Sequence, residues 1–343
     1  MKLTPNSRVA ILLNRGIKGV HGKTGLAFLR YSQSKVVVII DPESPGESLA
    51  QLTGIDQDVP IVSQVAEALA YAPEVLLIGI APSGGQLPPE LQAEVAISVK
   101  AGISLINGLH TQLKPQFPHL KPQQWIWDVR QEPPGLSIGQ GRARSLQAQR
   151  ILTVGTDMAI GKMSVSLELY YAALRRGIKA QFVATGQAGI AIAGGGVALD
   201  AVRVDFAAGA VEQAVLAAGE DQELVLIEGQ GSLLHPGSTA TLPLIRGSQP
   251  MGLILVHRTG ATHIRDLVQV KIPPLPEVIN LYETVASVGG ALVKVKAIAL
   301  NTSGLESEAA QAVIDSTAEL TGLPCSDVVR FGGESLLAAV YDK

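Results

Sequence analysis

The 343-residue chain has little of what would make it a cross-linked, nucleic-acid-binding or membrane-spanning protein. It holds a single cysteine, Cys325. That excludes an intrachain disulfide framework and any metal cluster built from cysteines alone, and it fits a reducing, cytoplasmic compartment. Charged residues make up only 17% of the chain and the formal net charge is -3. No broad basic surface is therefore available to grip nucleic acid. No apolar run approaches the length that crosses a bilayer, and the opening stretch, Met1 to Arg8, lacks the apolar segment of a secretory signal. The expectation is a chain with no membrane partner, soluble and unprocessed.

Apolar residues, in contrast, reach 47%, enough to bury a sizeable core, and the length favours two domains. So sparsely charged a surface also predicts burial of part of it in a homo-oligomer.

The chain is organised around Ile151 to Ser164. An apolar run, Ile151 to Val154, breaks into a glycine-flanked turn, Gly155-Thr156-Asp157 to Gly161-Lys162, and an amphipathic segment follows from Ser166 to Arg176. A phosphate-binding loop is built this way: glycines let backbone N–H groups face an anion, the helix N-terminus adds partial positive charge, and the lysine adds a full one. Two departures from the usual G-x-x-x-x-G-K-[ST] pattern stand out. Five residues separate Gly155 from Gly161, and Met163 occupies the place of the magnesium-binding hydroxyl, which Ser164 would supply one position later. The loop resembles that of dethiobiotin synthetase, which carries the same insertion. A plain strand-to-helix turn with a solvated lysine is the competing reading.

On either side of this loop, β-branched apolar runs alternate with helical periodicity. Before it come strands at Arg8–Asn14, Lys35–Ile40, Glu74–Ile80 and Ile103–Ile106, with helices at Val65–Tyr71 and Glu90–Lys100. This alternation predicts an α/β fold with doubly wound, parallel sheets. A second glycine-rich turn, Arg15-Gly16 to Gly22-Lys23-Thr24, reads as an anion contact or a plain basic turn. Prolines crowd residues 111–149, where Trp125 to Val129 suits one short strand; this stretch is expected to connect a first domain, 1–110, to a second, 150–343. In the second, six strands are expected, the last at Cys325–Val328. The strand Leu224–Ile227 delivers Glu228, a hard oxygen donor placed to hold magnesium or position water beside the loop, and Asn301 ends a later strand.

Lys23-Thr24 with Leu29-Arg30-Tyr31, Gly155-Thr156-Asp157 with Gly161-Lys162-Met163-Ser164, and Glu228-Gly-Gln-Gly-Ser232 with His235-Pro236 together resemble a two-domain family described as D-glutamate N-acetyltransferase-like. The resemblance implies a Rossmann-like N-terminal domain, a P-loop NTPase-like C-terminal domain, and transfer of an acetyl group from acetyl-CoA to the amino group of a D-amino acid such as D-glutamate. A P-loop can hold the phosphates of CoA without hydrolysing ATP. The expected ligand-binding set is Gly155, Thr156, Asp157, Gly161, Lys162, Met163, Ser164 and Asn301. Acyl transfer to an amine needs a base and charge stabilisation. Glu228, His235 and His257 are the candidate bases, and Lys162 is the charge stabiliser. Arg246, Arg258 and Arg265 are candidate grips for a dicarboxylate. Two other readings stay open. One is an ATP- and magnesium-dependent ligase or kinase acting on a small carboxylic acid, with Ser164 and Glu228 on the metal; the other is a nucleotide-binding regulatory protein.

Overall fold

The structure is a computed structural model describing residues 3–341, so the outermost two residues of each expected domain fall outside the described residues. The chain divides into two compact units. One runs to Gln131 and also takes in Gln187–Ala198; the other comprises Glu132–Gly186 and the chain from Leu199 onward.

In the first unit, β1 (Arg8–Leu12), α1 (Lys23–Tyr31), β2 (Lys35–Ile40), α2 (Leu49–Thr53), β3 (Ile61–Val62), α3 (Val65–Ala68), β4 (Val75–Ile78), α4 (Pro89–Ala101), β5 (Ser104–Asn107) and β6 (Ile126–Asp128) follow in order. The sheet reads β3-β2-β1-β4-β5-β6 and every pair is parallel. This is the Rossmann order, with its reversal between β1 and β4. The strands are near-continuous apolar runs because helices cover both faces, and Leu12, Leu76, Ile78 and Leu105 form their buried centre.

The expected connecting region, 111–149, is divided between the units. Its first part is held in the first unit by β6, whose Asp128 accepts hydrogen bonds from Asn107 Nδ2 (2.7 Å) and from the backbone N–H groups of Leu113 (2.9 Å) and Lys114 (3.0 Å). Its later part belongs to the second unit, where the fully buried carboxylate of Glu212 accepts from the backbone of Gln140 and Arg142.

The second unit contains β7 (Gln149–Gly155), α5 (Lys162–Arg175) and β8 (Ala180–Val183). The chain then contributes α6 (Gln187–Ala193) to the first unit before resuming with α7 (Val204–Gly219), β9 (Leu224–Ile227), α8 (Thr241–Ser248) and β10 (Gly252–Arg258). A hairpin of β11 (His263–Ile264) and β12 (Leu267–Lys271) precedes α9 (Leu275–Ser287), β13 (Val295–Asn301), α10 (Ser307–Thr321), β14 (Cys325–Ser326), α11 (Val328–Phe331) and α12 (Glu334–Val340). Six parallel strands lie in the order β14-β13-β10-β7-β9-β8. The last strand is shorter than Cys325–Val328 because Asp327 caps α11, accepting from the N–H groups of Val329 and Arg330. The hairpin, β3, α2, α6 and α8 have no counterpart in the sequence reading; they are short, and their apolar residues show no full period. No helix among the described residues is long and apolar enough to cross a membrane.

One glycine fixes how closely α1 lies on its sheet. A Cβ at Gly25 would stand 2.7 Å from both Ile11 Cγ2 and Leu13 Cδ2 and 3.1 Å from the Gly79 Cα. Gly25→Ala is therefore expected to overpack the corner and cost about 1–3 kcal/mol, read as a lower urea midpoint by circular dichroism. An unchanged midpoint would contradict this packing.

Candidate functional site

The site grows from β7, an interior strand flanked by β10 and β9. Strand order reverses around it, since β8 and β9 lie to one side and β10 to the other, and open α/β sheets bind ligands at such a reversal. Beyond Gly155 the backbone turns sharply. Ala159 has φ +54° and Gly161 φ +115°, a left-handed geometry that glycine alone adopts freely, and α5 starts at Lys162.

Side chains from distant elements pin this turn. Tyr282 of α9, fully buried, donates its hydroxyl to the Gly155 carbonyl (2.7 Å) and accepts from the Leu233 N–H (3.1 Å), joining the loops that follow β7 and β9. Asn301 Nδ2 donates to the Ile160 carbonyl (3.1 Å). Asp157 accepts from the Met158 N–H (2.6 Å) on one oxygen and from the Arg265 N–H (2.7 Å) on the other. The Thr156 N–H continues the β10 ladder to the Val256 carbonyl (3.1 Å).

Lys162 is buried and runs along a wall of glycines. A Cβ on Gly155 would lie 3.3 Å from its Cδ and Nζ; one on Gly229 would lie 2.9 Å from its Cδ and 1.8 Å from the Thr153 carbonyl. Its Nζ donates to the Asp157 carbonyl at 2.7 Å. An ammonium carries three protons, so this bond leaves capacity for an anion held by the loop. Burial lowers the Lys162 pKa to about 8 against the opposing charges of Asp157 and Glu228.

Glu228, just beyond β9, is 3% exposed. Its Oε2 accepts from the N–H groups of Thr185 (2.8 Å) and Gly186 (3.1 Å), and its Oε1 from Gln230 Nε2 (3.2 Å). Burial nevertheless dominates, raising its pKa to about 7 over the opposing pull of those N–H groups, Lys162 and Gln230. A carboxyl that changes charge near neutrality is suited to moving a proton.

His257, near the end of β10, is half-buried with Nδ1 2.9 Å from Thr156 Oγ1. Burial lowers its pKa, so the ring is neutral at pH 7. In the tautomer where Nδ1 donates to Thr156, Nε2 is left as a base. His235 differs: its Nδ1 accepts from the Gly237 N–H (3.0 Å), closing its own turn.

The structure thus gathers Gly155, Thr156, Asp157, Gly161, Lys162, Glu228, His257 and Asn301 at the C-terminal edge of β7, β9, β10 and β13. Asn301, a member of the expected ligand-binding set, gives its amide to the loop itself. Met163 and Ser164 are half-buried on the first turn of α5, whereas Ser166 points inward, 3.1 Å from Thr153 Oγ1. Among the described residues, no three or more His, Cys, Asp or Glu side chains cluster as a metal cage. The donor set therefore fits magnesium only as an ion carried chiefly by a ligand's phosphates. Arg258 ends β10 and Arg265 follows β11, but Arg246 lies near the far end of α8. In the first unit, Lys23 opens α1, and Thr24 Oγ1 accepts from Gln187 Nε2 (3.2 Å).

Tyr282, Thr153, Ser166 and the Thr185-Gly186 backbone were missed from sequence. Thr153 carried a signal, as a hydroxyl inside an apolar strand. Tyr282 carried none, standing 127 residues from its partner.

Fold and site define a two-domain α/β protein with a Rossmann-like unit and a P-loop unit. Residues 137–337 match the P-loop domain of a family described as a domain of unknown function, DUF1611, and residues 42–132 match that family's Rossmann-like domain. The chain belongs to the DUF1611 family. It is 34% identical over 83% of its length to a D-glutamate N-acetyltransferase of Pseudoalteromonas sp, covering 85% of that protein. It is also 34% identical over 90% of its length to a D-glutamate N-acetyltransferase of Tritonibacter scottomollicae, covering 94% of it. The crystal structure of a DUF1611 family protein from Anabaena variabilis superposes with a TM-score of 0.94 at 59% identity, over 98% of this chain and 99% of that one.

Two outcomes follow from the buried groups. Glu228 binds its proton more tightly folded, near pH 7, than unfolded, near 4.5. Its contribution to stability is thus complete below pH 4.5 and is lost as pH rises to 7, by about 3 kcal/mol. Urea unfolding across this range should show the loss in wild type and its absence in Glu228→Gln. Tyr282→Phe leaves the Gly155 carbonyl and Leu233 N–H without their partner, at about 1–3 kcal/mol for each, measurable as a lower unfolding midpoint.

Proposed function

We propose that this protein is an N-acyltransferase that moves an acetyl group from acetyl-CoA to the amino group of a D-amino acid, with D-glutamate the first acceptor to test. The observation that carries the reading is the buried Glu228 carboxyl, held by the Thr185 and Gly186 N–H groups beside the buried Lys162 of a phosphate loop, where burial raises its pKa to about 7. Two relatives named D-glutamate N-acetyltransferase, alike over most of the chain, support the same reaction.

In this reading the loop from Gly155 to Ser164 and the N-terminus of α5 take the phosphates of CoA, and Lys162 neutralises their charge. The acceptor arrives as an ammonium and must lose a proton before its nitrogen can attack. Glu228 takes it, with His257, oriented by Thr156, the other group able to do so. The C–N bond forms as the C–S bond breaks, and the departing CoA sulfur recovers the second amine proton. His235, whose Nδ1 accepts from the Gly237 N–H to close its own turn, is given no step in this scheme. The same reading places the enzyme in the cytoplasm as a homo-oligomer acting on a small molecule.

A second reading, an ATP-dependent ligase or kinase, draws on the loop's resemblance to dethiobiotin synthetase and on an acidic residue ending the neighbouring strand. There, magnesium would be held by the nucleotide's phosphates with Glu228 or Ser164 alongside.

Thiol release from acetyl-CoA with D-glutamate, measured without ATP, tests the proposal. Turnover is expected in wild type, with kcat about 10²–10⁴-fold lower in Glu228→Gln. Acetyl-CoA binding should be strongly weakened in Lys162→Ala. No thiol release with any of a panel of D-amino acids, together with magnesium-dependent ADP release stimulated by a carboxylic acid, would replace this reading with the second.

A further inference from the structure

The second unit has another chemically distinctive place, at the opposite edge of its sheet. A cavity of about 520 Å³ opens where β7 and β10 begin, between α8 and the segment that follows α9. Arg150, in its wall, is the second residue of β7, and the phosphate loop follows the last. A seven-residue strand separates the two sites by roughly 20 Å.

Three arginines line the cavity, Arg144, Arg150 and Arg246, and no aspartate or glutamate does. None of the three forms an ion pair among the described residues. Arg150 is 4% exposed, and burial pushes its guanidinium down with no carboxylate opposing. Gathering like charges in this way is unfavourable unless an anion joins them.

The cluster is also built. Gln249, left-handed at φ +45°, caps α8 and ties all three arginine segments together. Its backbone carbonyl accepts from Arg150 Nε (3.0 Å), its side-chain oxygen accepts from Arg144 Nε, and its Nε2 donates to the Arg246 carbonyl (2.6 Å). Further carbonyls steer the same groups: Leu146 (3.1 Å) and Ala148 (2.9 Å) for Arg150, and Gly289 (2.9 Å) for Arg144. Preorientation of this kind suits the planar, bidentate recognition of a carboxylate or phosphate. The remaining wall is apolar and open to solvent, with Leu242, Met251, Val288 and Leu292 all exposed. Side chains of this kind, left wet on a monomer, mark a binding surface, and the volume is that of a small-molecule site.

We infer that this cavity is a second ligand site, separate from the phosphate loop, for a small organic anion: a carboxylate or phosphate head on an aliphatic body, the head on the arginines and the body on the leucine, valine and methionine wall. Nothing in this inference depends on the acyltransferase reading.

Calorimetric titration with octanoate and octyl phosphate tests it, with inorganic phosphate supplying the head alone and octanol the body alone. One of the two amphiphilic anions should bind at one site per chain, about tenfold or more tighter than either fragment, and which of them does so identifies the head group. Arg246→Glu and Arg144→Glu, both at exposed side chains, should each weaken that binding about tenfold or more with an unchanged circular dichroism spectrum, because each reverses a charge facing the head. Lys162→Ala should leave it unchanged. The inference is overturned if neither amphiphile binds, if binding ignores both arginine variants, or if it is lost in Lys162→Ala. It is likewise overturned if sedimentation shows that the arginine variants dissociate an oligomer, which would make this face a contact between copies of the chain.

Discussion

The second unit depends on keeping an ammonium and a carboxyl buried in one pocket beneath a sharply turned loop. Burial drives Lys162 and Glu228 in opposite directions, towards their neutral forms, so both change charge within about a unit of neutrality. Such groups are tolerated only where fixed dipoles surround them. The Asp157 carbonyl holds the lysine, and the Thr185 and Gly186 N–H groups hold the glutamate. The loop that carries the Asp157 carbonyl is fixed in turn by Tyr282 on Gly155 and Asn301 on Ile160. The glycines at 155 and 229 follow from the same constraint, because the lysine stem fills the space their side chains would need.

A parallel sheet presents two unlike ends, and the second unit has furnished each with its own chemistry. At the C-terminal edge of the strands, a buried lysine and a buried carboxyl lie beneath a sharply turned loop. At the N-terminal edge, three arginines converge on an apolar cavity with no acid in its wall. Arg246 shows how this divides residues that look alike in sequence. Read beside Arg258 and Arg265 as a grip for a dicarboxylate, it belongs to the other edge, because α8 carries the chain back across the sheet between Thr241 and Ser248.

Much of the architecture was legible because it is written in local pattern. Strands such as Lys35–Ile40 and Leu224–Ile227 are unbroken apolar runs, a signature of sheets covered on both faces. Gly155 to Lys162 and Glu228 announced the site through residue type and spacing. Harder to see was anything held by a few hydrogen bonds between distant segments. Asp128 draws part of a proline-rich stretch into the first sheet, Glu212 holds the next part in the second unit, and α6 leaves its sequence neighbours for the first unit.

The sequence by itself determined the alternation of strand and helix, the phosphate loop and the identity of the groups that can carry charge or protons, since these follow from side-chain chemistry and short-range spacing. Tertiary structure alone decided which of those groups act together. It gave Glu228 its elevated pKa and His257 its threonine partner, set His235 against the Gly237 N–H and Asn301 against the Ile160 carbonyl, and assembled Arg144, Arg150 and Arg246 around Gln249. Desolvation and hydrogen-bond direction depend on what packs nearby in space, and residues as far apart as Gly155 and Tyr282 meet only when the sheet has formed.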